Sequence, residues 1–74
     1  MKLTNFYEVA DRKGIAWGGA SASEAMEWFR RGLDNSIYVS VWNEEDIEEP
    51  KLVIDKIDIT KLVLTTIVSE RGRA

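Results

Sequence analysis

The stretch SASEAMEWFRRGL, residues 21–33, decides the fold, because it carries the start, the apolar face and the end of one amphipathic helix. Ser21 and Glu24 have the spacing of a capping box, in which each side chain binds the backbone amide of the other residue. Arg30 and Arg31 complement the negative end of the helix dipole, and Gly32 suits the left-handed residue that ends many helices. Three- and four-residue spacing gathers the apolar side chains on one face, flanked by Trp28: Ala22, Ala25, Met26, Phe29 and Leu33. We therefore predict a helix over about residues 21–31.

Two short β-type runs precede this helix. The four residues from Asp11 to Gly14 form a turn signal between them, which predicts a hairpin with strands at about residues 5–10 and 14–18. Gly18 and Gly19 then allow a tight bend into the helix.

The stretch SIYVSVWN, residues 36–43, follows the helix and alternates with period two. This pattern predicts a strand whose side chains point to opposite faces of a sheet. One set is aliphatic and the other is mostly aromatic, the two sets being Ile37, Val39 and Val41, and Tyr38, Ser40 and Trp42.

Residues 43–50 are acidic and end at Pro50, which predicts an exposed connection because burying unpartnered carboxylates is very costly. Residues 51–55 and 62–69 are predicted as a fourth and a fifth strand. The parity of the apolar positions changes between them, which indicates a bulge or tight turn within residues 56–61. We expect a frayed tail at residues 70–74.

The predicted order is β-β-α-β-β-β. It indicates a single α+β domain over residues 1–74, with two layers: a mostly antiparallel sheet of about five strands and one amphipathic helix packed on one face. A chain of 74 residues is too short for a second core.

The chain has no cysteine and no histidine. It therefore lacks thiolate nucleophiles, disulfides, zinc-thiolate ligands and the side chain most used for acid-base catalysis near neutral pH. Asp55 and Asp58 are a candidate carboxylate pair, but such pairs beside Lys56 are more typical of surface ion pairs. We predict that the protein is not an enzyme and uses no cofactor or metal.

No apolar run approaches the roughly 18 residues that span a bilayer, and the N-terminal residues lack a signal-peptide core. We expect a cytoplasmic protein without a membrane partner.

Five of the 13 acidic residues, in a chain of net charge −3, form an acidic loop without a basic residue among them: Glu44, Glu45, Asp46, Glu48 and Glu49. The loop is open to four interpretations: a solvated connection, a contact for a basic partner, a weak cation site, or a phosphate mimic that occupies a nucleic-acid-binding protein. Its spacing lacks the glycine of a calcium loop. The chain is not basic overall, so direct binding to nucleic acid is disfavoured.

The alternating row Tyr38, Ser40 and Trp42 is the predicted interface. If the aliphatic set faces the helix, these side chains stand on the uncovered face, where tyrosine and tryptophan favour protein contacts. Isolated large residues are also normal on a surface. The simplest assembly is a homodimer, through this row or through an exposed edge strand.

A hairpin leading into S-x-x-E-A and a following strand, here residues 6–41, is similar to the partial RNase-H-like domain of HicB-type antitoxins. The similarity covers about half of the chain, and the Pro-Gly-rich segment that those proteins place before the helix is missing, so it implies no function here. A short chain without cysteine or histidine also resembles accessory proteins of bacteriophages or mobile elements.

The sequence therefore predicts a small, non-catalytic, self-associating interaction domain. The alternative is a regulator that binds nucleic acid, or that inhibits a nucleic-acid-binding protein through the acidic loop.

Overall fold

Four strands and two helices make up the computed structural model, which describes residues 2–72 and side chains up to residue 69. In chain order they are β1 (Leu3–Asp11), β2 (Gly14–Gly19), α1 (Ala22–Phe29), β3 (Ser36–Asn43), β4 (Lys51–Asp58) and α2 (Thr60–Gly72). The strands form one antiparallel sheet in the order β2-β1-β3-β4. The predicted α+β class is thus confirmed, with four strands and two helices.

The N-terminal hairpin forms as predicted, with β1 paired to β2. Gly14 has a φ of 126°, which a side chain would strain, so the turn requires glycine at this position. The carboxylate of Asp11 accepts a hydrogen bond from the Lys13 amide at 2.7 Å and fixes the turn.

The core lies where α1 crosses the central strands. Val9 of β1 and Ile37 of β3 are directly opposite each other and fully buried, and Ala25 and Phe29 of α1 complete the cluster. Partly buried side chains from both helices, the first two strands and the junction between β4 and α2 pack around it: Tyr7, Trp17, Trp28, Ile59, Val63 and Ile67. Ile37 therefore points to the face that the helical residues cover.

Helix α1 begins and ends through side-chain caps. The Ser21 hydroxyl accepts from the Glu24 amide at 3.2 Å, as the capping signal predicts. The Asn35 side-chain amide donates to the carbonyls of Trp28 and Phe29 at 3.1 and 3.4 Å, which satisfies the end of the helix. The helix thus ends at Phe29, two residues earlier than predicted.

The prediction of a fifth strand at residues 62–69 is wrong, because these residues lie within α2. Their threonine, valine and isoleucine content favours strands, but contacts with β3 start a helix here. The Ile59 amide donates to the Ile37 carbonyl at 3.0 Å, and the Thr60 hydroxyl accepts from the Ile37 amide at 3.0 Å. Val63 and Ile67 follow at helical spacing and pack against the core.

The bulge or tight turn predicted within residues 56–61 corresponds only in part to the structure. Strand β4 continues to Asp58, and its register against β3 shifts between Val39 and Val41 and again between Val41 and Trp42. The first shift lies between Ile54 and Ile57 and so reaches the predicted segment, whereas the second lies between Leu52 and Ile54, before it. Helix α2 occupies most of the expected tail, and residues 73 and 74 lie outside the described part of the chain.

The core is so small that removing one methylene group from it should measurably lower the free energy of unfolding. We expect Ile37→Val to lower the free energy of unfolding by about 1 kcal/mol, because Ile37 is 1% exposed. Ile47→Val removes the same group from a side chain that is 84% exposed and should change stability by less than about 0.5 kcal/mol. Urea denaturation at one fixed protein concentration measures both, and equal effects would contradict the described core.

The junction between β4 and α2 should make stability depend on pH. Hydrogen bonding with Thr60, through its side chain and its backbone amide, lowers the pKa of Asp58 below the ordinary value of 3.8. The unfolded chain therefore binds the proton first, and this contribution to stability is present above the ordinary pKa and lost as the pH falls below about 4. Asp58→Asn should destabilise the protein at pH 7, and its difference from the native chain should shrink by pH 2.5.

Asp55→Asn is the control for this experiment, because no hydrogen bond to the Asp55 carboxylate occurs in residues 2–72. Urea midpoints of the three proteins at both pH values provide the comparison. A constant gap between the native chain and Asp58→Asn would show that the charge of Asp58 does not stabilise this junction.

Candidate functional site

The predicted row of Tyr38, Ser40 and Trp42 lies on the sheet face opposite the core, which we call the outer face. Strand alternation places it there because Ile37 is buried on the other side. Phe6 is directly opposite Ser40 and so belongs to the same face. The outer face thus gains an aromatic residue that the sequence analysis did not select.

Ser40 has a structural role within this row. It is only 8% exposed, and its hydroxyl accepts a hydrogen bond from the Lys56 amide at 3.2 Å. This bond lies where the register between β3 and β4 shifts, so Ser40 holds a backbone group that the irregular pairing would leave without a partner. The side chains of the row that are partly exposed to solvent are therefore Tyr38 and Trp42.

Tyr38 is already paired with a cation of its own chain. The Lys56 ammonium lies 5.1 Å from the centre of the Tyr38 ring and 3.8 Å from a carboxylate oxygen of Glu8. Glu8 is directly opposite Tyr38 on β1, so one lysine contacts an aromatic face and a carboxylate together.

A shallow groove of about 380 Å³ lies at the Trp42 end of the outer face. Phe6 and Trp42 are its aromatic walls, and Thr4, Ala20, Glu44 and Pro50 complete it. The Phe6 ring extends over Gly18 of β2, where an added β-carbon would lie 3.4 Å from its Cζ atom. We expected Gly18 to bend the chain, but it lies within β2 opposite Glu8, where the absence of a side chain leaves room for this ring.

The acidic loop begins and ends at this groove. Glu44 is fixed there, since its amide donates to the Lys2 carbonyl at 2.8 Å and its carboxylate accepts from the Thr4 hydroxyl at 2.9 Å. Glu45, Asp46, Glu48 and Glu49 are exposed, as expected for a solvated segment. Among the side chains described, those of residues 2–69, no three acidic groups lie close enough together to hold a metal ion.

A second candidate surface lies on the helix-covered face, beyond the reach of the helices. Val39 is directly opposite Ile57, and Val41 is opposite Ile54, so the four side chains share that face. The two isoleucines are 46% and 40% exposed, and the two valines are half-buried without belonging to the residues packed on the core. We call these four residues the β3–β4 patch.

The basic side chains are dispersed rather than gathered. Arg12 forms an ion pair with Asp34, with its Nε 2.9 Å from the carboxylate, and Arg31 lies 3.9 Å from the centre of the Trp28 ring. Lys56 likewise contacts Tyr38, so three cations from separate parts of the chain are paired with groups of the chain itself. Such an arrangement lacks the continuous basic stripe that nucleic-acid binding uses.

Comparisons with known proteins identify no relative from which a function could be inferred, so the function has to be inferred from the surface of the chain. No protein-family model matches the chain, and neither curated proteins nor solved structures give a significant match. Among residues 2–72, neither helix has the length and apolar character that crossing a bilayer requires.

The role of Ser40 can be tested by removing its hydroxyl. We expect Ser40→Ala to destabilise the protein by about 1 kcal/mol, because the part-buried hydrogen bond from the Lys56 amide loses its acceptor. Ser36→Ala in the same strand is the matched control, since the structure shows no hydrogen bond from the Ser36 hydroxyl to any described residue. Urea denaturation distinguishes them, and equal stabilities would show that the Ser40 hydroxyl does not hold β4.

Proposed function

We propose that this chain is a small non-catalytic interaction domain that acts as a homodimer, with two copies joined through the β3–β4 patch. The observation that carries the proposal is a continuous aliphatic surface next to a buried core of only four hydrophobic side chains among the described residues. Aliphatic side chains in this position gain about 25 cal/mol for each Å² that a partner removes from water.

The accessible surface of the single chain is larger than expected for a compact monomer, which supports a partner that covers part of it. The accessible surface is 5717 Å², whereas a compact monomer of this mass has about 4,600 Å². The excess is larger than the roughly 800 Å² that each partner buries in a standard protein interface. The Cα radius of gyration of the chain is 13.8 Å, whereas a compact domain of this length has about 11 Å. Two copies packed together would bring both quantities closer to those of ordinary globular proteins.

Self-association would also stabilise the fold of so small a domain. Domains of this size often depend on disulfides, metals or oligomers, because their cores supply little net free energy. The chain has no cysteine, and no metal-binding cluster occurs among the described residues. A second copy supplies the missing burial without either device.

A dimer formed by side-chain packing between two β3–β4 patches fits the structure better than a dimer formed by pairing the β4 edges of two copies. All eight residues of β4 are exposed, but two register shifts interrupt its pairing with β3, and Lys51 and Lys56 lie along it. Bulges and lysines are the features that discourage a further strand from adding to an edge. We therefore place the two-fold contact on the aliphatic side chains, in an arrangement where each patch faces its copy.

The proposal keeps the location and setting expected from the sequence. A cytoplasmic protein without disulfides fits the absence of cysteine. The accessory role in a phage or mobile element stays a prediction that gene neighbours would test.

Light scattering after size-exclusion chromatography tests the dimer. We expect the native chain to have twice the mass of one chain at about 50 µM, and Ile57→Glu to weaken the dimer at least tenfold, because a charge would be buried without a partner. Ile47→Glu is the matched control, since it introduces the same charge at an isoleucine in the acidic loop. Circular dichroism verifies that each variant is folded.

Three outcomes would contradict this assignment. A native chain that stays monomeric at about 500 µM would exclude a functional homodimer. Equal effects of Ile57→Glu and Ile47→Glu would show that added charge, rather than the patch, controls assembly. A dimer that survives Ile57→Glu but dissociates in Trp42→Ala would place the interface on the outer face.

A further inference from the structure

We propose that the groove between Phe6 and Trp42, which we call the Phe6–Trp42 groove, binds an arginine-containing basic segment of a partner protein. The groove lies on the outer face, opposite the β3–β4 patch, so both surfaces are available at the same time. This binding role is additional to the homodimer and does not depend on it.

Two other aromatic rings, both of them partly buried, have a cation contact that this groove lacks. Arg31 stacks on Trp28, and Lys56 lies over Tyr38 while also contacting the Glu8 carboxylate. Among the side chains of residues 2–69, no lysine or arginine lies over the rings of Phe6 or Trp42. On the outer face, the ring of Tyr38 and the carboxylate of Glu8 thus share a lysine of the same chain. The rings of Phe6 and Trp42 and the nearby carboxylate of Glu44 have no such cation among the described side chains.

The groove has the shape and chemistry of a guanidinium site. Its volume of about 380 Å³ exceeds what one arginine side chain needs, and its aromatic walls can stack on the planar guanidinium. Glu44 lines the groove and is held in place by the Thr4 hydroxyl and the Lys2 carbonyl. A carboxylate fixed at the rim can accept the charged hydrogen bonds that the guanidinium donates.

The acidic loop supplies charge complementarity beyond the groove. Both ends of the loop line the groove, at Glu44 and Pro50, and the exposed carboxylates between them include Glu48 and Glu49. A basic segment that placed one arginine in the groove would therefore pass along the loop, where its other cations gain attraction and a faster association rate. An acidic segment would be repelled by the loop, and an apolar segment would gain no attraction from its carboxylates.

Titration with a short peptide of alternating glycine and arginine tests the inference. We expect binding by isothermal titration calorimetry at about 20 mM salt, with a nitrogen-proton correlation spectrum showing a shift of the Trp42 indole signal. Affinity should fall as salt rises, because exposed charge pairs are screened. The same peptide with citrulline in place of arginine keeps the shape but not the charge, and we expect at least tenfold weaker binding.

Variants at and away from the groove distinguish specific binding there from attraction by the net negative charge of the protein. Trp42→Ala should weaken binding at least tenfold. The double variant Glu48→Gln with Glu49→Gln should weaken it severalfold and keeps the test decisive if Trp42→Ala fails to fold. Glu24→Gln with Glu27→Gln removes the same charge from exposed positions of α1 and should leave affinity within twofold.

The inference is overturned if the arginine peptide does not bind at millimolar concentration, or if the citrulline peptide binds equally well. It is also overturned if the two double variants weaken binding equally, since attraction would then depend on net charge alone. A single-stranded oligonucleotide that binds at the Trp42 indole in place of the peptide would assign the groove to nucleic acid instead. Ile57→Glu should leave peptide binding unchanged, which distinguishes this result from failure of the homodimer.

Discussion

The double attachment at Ile37 is the constraint on which the rest of the structure depends. Its side chain is enclosed by Val9 and the residues of α1, while its backbone amide and carbonyl hold the start of α2. Residues of both helices thus pack against the core cluster around this one residue of the central strand β3. The outer face, on the side of the sheet away from that cluster, presents its own side chains to water or to a partner.

The two faces of the sheet consequently have different chemistry. On the helix-covered face, the four aliphatic side chains of the β3–β4 patch lie beside the exposed polar residue Asn5, which is directly opposite Val41. On the outer face, aromatic rings alternate with charged or hydroxyl groups and end beside the acidic loop. Aliphatic surfaces suit a permanent contact with an identical copy, and aromatic surfaces with nearby charge suit selective and reversible contacts. A short chain can in this way combine assembly with recognition.

Local signals made part of this structure predictable. The Ser21 cap, the Asp11–Gly14 turn and the alternation from Ile37 to Trp42 each depend on neighbouring residues, and each describes its element correctly. Helix α2 was missed because its composition favours a strand, and the bonds that start it come from Ile37, more than 20 residues earlier. The spacing of Ile59, Val63 and Ile67 was the available signal. The position of Phe6 beside Trp42 and the burial of Ser40 depend on strand register, which no local pattern specifies.

The interrupted pairing of β4 limits how far such a chain can assemble. A sheet with two regular open edges can add copies without end, and the product is a fibre rather than a defined complex. Here one edge is broken by two register shifts, and the opposite edge is the short strand β2, half of whose six residues are glycine. Neither edge offers a regular template, so a concentrated solution of this protein is protected against polymerisation even though many of its apolar side chains face water.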